Sequence, residues 1–191
     1  MLKEAKKNGG QLLHTPLLLA ALALALSFPA YASDLPDPVI TPGAINPGIT
    51  QENIRQTVCV KGYTKKIRPP AHFTNKLKKQ QIRAYGYTDT NPKRYEEDHL
   101  IALSIGGAPD DPLNLWPQPR NSEWGAEKKD QLEKVLYKKV CAQEISLAEA
   151  QHAIAENWIE AWNRYVSSQQ GSYEIAGNSD NKNGAGTRRK K

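Results

Sequence analysis

The chain has 191 residues, with 26 Lys or Arg against 20 Asp or Glu and a formal net charge of +6. Two of those six charges come from residues 1–32 and three from the tail after Gln170, which leaves about one for residues 33–170. What the charge implies about partners therefore lies in its distribution and not in its sum. No internal repeat and no nucleotide-binding glycine loop is present, which argues against a repeat array or a P-loop enzyme.

Lys3, Lys6 and Lys7 precede an apolar run from Pro16 to Phe28, and Ala30-Tyr31-Ala32 offers a small-x-small cleavage site. A bilayer span needs about 20 apolar residues, so this pattern reads as a secretory signal over residues 1–32 and not as an anchor. No later segment is apolar enough to span, so the expected product carries no membrane anchor and resides in the periplasm or outside the cell. The two cysteines, Cys59 and Cys141, leave no surplus thiol, and in an oxidising compartment they are expected to form one disulfide. The chain-entropy model values closure of so long a loop at about 4 to 5 kcal/mol.

Residues 33–49 contain Pro36, Pro38, Pro42 and Pro47 and read as an extended linker. The domain is expected over residues 50–168, opening with a helical turn capped at Thr50 and a short strand at Thr57–Val60. Between Asn53 and Thr88 there are nine basic residues and no acidic one. Thr74 caps a predicted helix to about Tyr85, with Phe73 and Leu77 facing inward and Gly86 ending it. A cationic helix and loop at this place suit phosphate contacts, for which Arg68, Lys76 and Lys79 are the candidates. A solvated basic face is the plainer reading of the same run.

Then comes Tyr95-Glu96-Glu97-Asp98-His99, an apolar run to Leu103, and Gly106-Gly107. An acidic loop follows, and after it Asn114-Leu115-Trp116-Pro117-Gln118. Two short strands, a turn and a Lys-rich helix form the plan of a ββα unit. Along a strand Asp98 and His99 point to opposite faces, while Glu96 shares the face of Asp98. Histidine titrates nearest neutral pH, which suits His99 to a general base. Hard cations such as Mg²⁺ prefer oxygen donors; Asp98 offers a charged one, and Asn114 or Asn121 a neutral one. Trp116 and Pro117 are expected to pack beneath the site.

This pattern, Asp-His-Leu-Ile-x-Leu-x-x-Gly-Gly and then Asn-Leu-Trp-Pro-Gln before a Lys-rich helix, resembles the HNH endonucleases of the ββα-metal superfamily. It is most similar to a secreted bacterial branch without zinc-binding cysteines. The resemblance covers about a fifth of the chain. It implies that Asp98 ligates a metal, that His99 activates water, and that Asn114 ties down the loop and orients the histidine. For the last family position it offers Asn121. Gly125 is the alternative, in which case the third ligand is missing or is replaced by water, Glu127 or Asp130.

Ser122 is expected to cap a helix whose stripe is Leu132, Val135, Leu136 and Val140, with Lys128 and Lys129 near its start and within reach of phosphate. Ser146 opens a second helix through a capping box, with Leu147, Ala150, Ile154, Trp158, Ala161 and Tyr165 as its buried stripe. His72 and His152 read as solvated. Residues 169–191 are polar and basic and are expected to be disordered.

The expected fold is α+β, a small ββα-metal core flanked by helices and pinned by one disulfide. The expected function is an exported, monomeric endonuclease of low sequence specificity acting on DNA or RNA. It would depend on a divalent metal, Mg²⁺ first, with Mn²⁺ or Zn²⁺ as alternatives. The rival from another class is a non-catalytic periplasmic module that binds an anionic polymer through the basic block at residues 53–88.

Overall fold

The computed structural model describes residues 33–168. The signal and the basic tail expected from the sequence lie outside them. The central element is a two-stranded antiparallel hairpin, β1 (Tyr95–His99) and β2 (Leu115–Pro119), in which Tyr95 faces Pro119 and His99 faces Leu115. Helix α1 (Tyr63–Ile67) is a short turn, and α2 (Ala71–Ala84) leans on one face of the hairpin. Helices α3 (Ala126–Cys141) and α4 (Leu147–Trp162) cover the other face. The architecture is α+β, as the hydrophobic pattern predicts.

Alternation along the strands sorts the hairpin into two faces. Tyr95, Glu97 and His99 share the α2 face, where Tyr95 packs with Ile82 and Tyr87 in a small apolar cluster. Asp98 and its cross-strand partner Trp116 share the other face. There Trp116 enters the main core with Leu132, Leu136, Ile154 and Trp158, all below one per cent exposed. Each fully buried side chain of this size contributes roughly 1.5 to 3 kcal/mol of transfer free energy before entropy is counted. The stripes predicted for α3 and α4 are the buried ones, except that Val135 is only half-buried.

Ser146 caps α4, its Oγ accepting from the Glu149 amide at 3.0 Å. The reciprocal half of the capping box does not form, because the Glu149 carboxylate instead accepts from the Tyr165 hydroxyl at 2.9 Å. At Asn157 the helix kinks, with φ −159° and ψ 94°. The Asn157 Oδ1 accepts from the amides of Ile159 and Glu160, so it restarts the helix as an internal cap. The disulfide joins Cys59 to Cys141 across a sequence separation of 82 and ties the first folded turns to the end of α3.

Several local expectations are corrected. Residues 33–49 are a turning arm packed on the domain and not an extended linker. Trp158 Nε1 donates to the Asp34 carbonyl, Ile45 bridges Gly107, and Thr41 is fully buried with its hydroxyl on the Leu115 carbonyl. The arm turns at residues 38–40 and 47–48, and the backbone of Gly43, Ala44 and Asn46 bonds to the domain at Leu113, Ala108 and Gly106. Thr57–Val60 is a run of turns and not a strand, and the first helical turn is Ile54–Gln56. Helix α2 begins at Ala71 after Pro69-Pro70, before the expected cap Thr74, so His72 sits in its first turn and not in a loop. The deeply buried residues of α2 are Gln81 and Ile82, whereas Phe73 and Leu77 are half-buried. Helix α3 starts after Gly125 and not after Ser122.

Candidate active site at the end of the hairpin

His99 closes β1 and is only 3% exposed. Its Nε2 lies 2.8 Å from the carbonyl oxygen of Pro109. A carbonyl can only accept, so Nε2 carries the proton and Nδ1 keeps its lone pair. Burial lowers the pKa of His99 below its ordinary value. The Pro109 bond and Asp98 oppose that shift, and the Arg68 and Lys129 cations reinforce it. The outcome is a neutral imidazole of fixed tautomer near pH 7.

The loop that supplies the Pro109 carbonyl is held by Asn114, which is fully buried. Its Nδ2 donates to the carbonyls of Ile101 at 3.0 Å and Ala108 at 2.9 Å, and its Oδ1 accepts from the Ile101 amide at 2.9 Å. A longer contact of 3.4 Å from the Ala44 amide completes the set. Every hydrogen-bonding site of the amide is therefore used on backbone. Asn114 is a positioning residue, joined to His99 through Ala108 and Pro109, and it does not itself face a substrate. The double glycine has the same purpose. A Cβ on Gly107 would lie 1.8 Å from the Ile101 oxygen and 2.8 Å from Asn114 Nδ2, and Gly106 turns the chain at φ +80°.

On the opposite face, Lys129 is fully buried. Its ammonium donates to Asp98 Oδ2 at 2.8 Å, to the His99 carbonyl at 2.6 Å and to Glu133 Oε1 at 2.6 Å. All three N–H bonds are thereby spent. Burial disfavours its charge, but Asp98 and Glu133 outweigh that and hold the pKa above the ordinary lysine value. Burial, and after it Asp98, pushes the carboxyls of Glu96 and Asp130 upward. Arg120 pairs with Glu96 at 2.8 Å.

The expected site residues divide accordingly. Asp98, His99, Asn114 and Lys129 are brought together, and Arg68 lies in electrostatic reach of His99. Lys129 cannot bind phosphate, contrary to expectation, because it is buried and its donors are used internally. Lys128 stacks 4.0 Å over the ring of Trp124, so it too is engaged. Lys76 and Lys79 are exposed on α2. Asn121 is not beside Asp98. It follows Pro119, which pairs with Tyr95 at the far end of the hairpin, and it is exposed there near Asp89 and Arg94. Gly125 opens α3, and a Cβ on it would lie 2.4 Å from the Arg120 carbonyl, so this backbone excludes a ligating side chain at that position.

For a metal, Asp98 Oδ1 is the oxygen with no protein hydrogen bond. No group of three or more His, Cys, Asp or Glu suited to a metal occurs among the described residues. A single free carboxylate oxygen suits only a hard cation that keeps most of its waters. Zn²⁺ fits poorly, since it wants three or four converging N, S or O ligands.

Sequence reasoning did not find three of these groups. The Pro109 carbonyl has no side-chain signal. Glu133 stands four residues after Lys129, a spacing that does mark an ion pair on a helix. Glu97 has both carboxylate oxygens buried without a protein partner, and burial raises its pKa to about 8. Among the described residues no helix is long and apolar enough to cross a membrane. Comparison of the chain with protein-family models, curated proteins and solved structures finds no match.

Proposed function

We propose that the chain is an exported endonuclease of HNH type that hydrolyses phosphodiester bonds of DNA or RNA with little sequence preference. The observation that carries this reading is the neutral imidazole of His99, held in one tautomer by Pro109 and, through Ala108, by Asn114. An imidazole that donates from Nε2 presents Nδ1 as a base. Nδ1 takes the proton of a water attacking phosphorus, and burial keeps that nitrogen unprotonated at neutral pH. Lys129 holds the His99 carbonyl and Asp98 from beneath and so fixes the strand end. A divalent cation, Mg²⁺ in the first place, would be held at Asp98 Oδ1 and would neutralise charge on the departing oxygen. Arg68, within electrostatic reach of His99, supplies further positive charge for the phosphate. Among the described residues no element is built to read base edges, so contacts to the backbone dominate binding. The signal pattern and the disulfide support a site of action in the periplasm or outside the cell.

Two observations favour the rival, a non-catalytic binder of anionic polymers. Asp98 is half spent on Lys129, and Gly125 has no room for a third ligand. Nicking of supercoiled plasmid by the oxidised protein, with Mg²⁺ or EDTA, separates the two. His99→Ala should lower the rate about 10²- to 10⁴-fold while the fold is retained. Equal cleavage by both proteins would rule out His99 as base. No cleavage of any nucleic acid by folded wild type, across divalent metals, would favour the binder.

A further inference from the structure

The far end of the hairpin carries a second feature that the chemistry at His99 does not use. A cleft of about 390 Å³ lies between α2 and the start of β1, lined by Asn75, Lys78, Lys79, Lys93, Tyr95 and Arg120. Its volume is in the ordinary range for ligand sites, and no acidic residue lines it. Two of its cations are fixed in place. Lys78 Nζ donates to the Tyr95 carbonyl at 3.3 Å, and Arg120 donates to the same carbonyl at 3.3 Å and pairs with Glu96. Lys79 and Lys93 have no acidic partner among the described residues. Arg120 is balanced by Glu96 and Lys78 is half-buried, so Lys79 and Lys93 are the charges the cleft leaves facing solvent.

We propose that this cleft seats a backbone phosphate of a polynucleotide at a distance from the bond being cut, with Lys79 and Lys93 as the binding cations. The proposal rests on the nuclease reading and adds where the substrate lies. Tyr95 and His99 are the two ends of β1, four residues apart, which at 3.3 Å per residue is about 13 Å. That separation exceeds the spacing of neighbouring phosphates on one strand, so the cleft meets a phosphate a few nucleotides from the bond being cut. Arg68 at the His99 end and the lysines at the Tyr95 end together suit an anion repeated along a chain. An isolated anion would reach only one of them.

The test compares Lys79→Gln/Lys93→Gln with a control pair, Lys134→Gln/Lys138→Gln, whose lysines are exposed on α3 away from the cleft. Binding of a fluorescent duplex about 16 base pairs long is followed against salt in a His99→Ala background, so that cleavage does not interfere. The cleft pair should weaken binding tenfold or more at low salt and reduce the log–log salt slope by about 2. The control pair should change the slope little. In the His99 protein, the cleft pair should also lower kcat/KM for the duplex relative to that for a small chromogenic phosphodiester, which is too short to span the two ends. A slope and affinity equal to those of the control pair would overturn the cleft. Loss of duplex binding in the cleft pair, with no cleavage of either substrate by wild type, would uphold the cleft and overturn the nuclease reading. A wild type that binds no polynucleotide would overturn both.

Discussion

Asp98 and His99 are neighbours in the chain, yet the two faces of the hairpin give them opposite surroundings. On the α2 face His99 meets a single backbone carbonyl and no charge in hydrogen-bonding contact, and burial keeps it neutral. On the α3 face Asp98 belongs to a charged network with Lys129 and Glu133. The difference shows how a strand divides roles between adjacent residues. One side keeps a neutral imidazole, and the other a charged platform that holds the backbone of the same residue, because Lys129 reaches both Asp98 Oδ2 and the His99 carbonyl.

The sharpest way to break this contrast is Lys129→Met. It leaves Asp98 as a mostly buried charge without a partner, while Glu133, whose pKa burial already raises to about 7, takes up a proton. Removing one member of such a pair typically costs about 3 to 5 kcal/mol. Urea unfolding should show a large fall in midpoint with an unchanged slope. A midpoint equal to wild type would mean the network is not a structural element. Asn114→Ala acts on the other face. It leaves the Ile101 amide and the carbonyls of Ile101 and Ala108 buried without partners, and at 1 to 3 kcal/mol for each orphaned group the loss should be about 3 kcal/mol or more. In whatever fraction stays folded, the His99 ring should lose its single environment. An NMR titration reads this as a His99 pKa moving back toward the ordinary value.

Two further tests use pH. For His99 the folded pKa lies below the unfolded one, so its contribution to stability is complete above about pH 6.5 and is lost as pH falls below that value. If the protein is the proposed nuclease, the acid limb of its cleavage should correspondingly show an apparent pKa below about 6.5. A limb above that value would contradict the buried, neutral base. Glu97, on the same face, has the opposite sign. Its pKa is raised to about 8, so stability is complete below about pH 4.5 and is lost as pH rises toward 8. Glu97→Gln should therefore stabilise the protein at pH 9 by a few kcal/mol relative to its effect at pH 4, as 1.36 kcal/mol per pKa unit implies. The smallest expected effect is that of Asn121→Ala, within about 0.5 kcal/mol in stability and without change in metal dependence, because the residue is exposed at the far end of the hairpin. A marked loss of metal-dependent cleavage in that variant would put Asn121 back at the metal.

The sequence by itself determined what is local or periodic. The apolar stripes of α3 and α4 follow from a 3.6-residue repeat, which is why Leu132, Leu136, Ile154 and Trp158 could be assigned to the core directly. The α+β class follows from short strand signals between helices, and the Cys59–Cys141 bond from two cysteines without a surplus. The tertiary structure alone decided matters that depend on which groups meet across long separations. Lys129 reads as one of several surface lysines, and only the approach of α3 to β1 buries it against Asp98, 31 residues earlier. The Pro109 carbonyl that sets the tautomer of His99 is a backbone atom, and composition carries no mark of it. The proline-rich arm looks like a linker because prolines disfavour regular structure. Its place in the fold comes from hydrogen bonds to Leu115, Gly106 and Trp158, distant partners that no local pattern can announce.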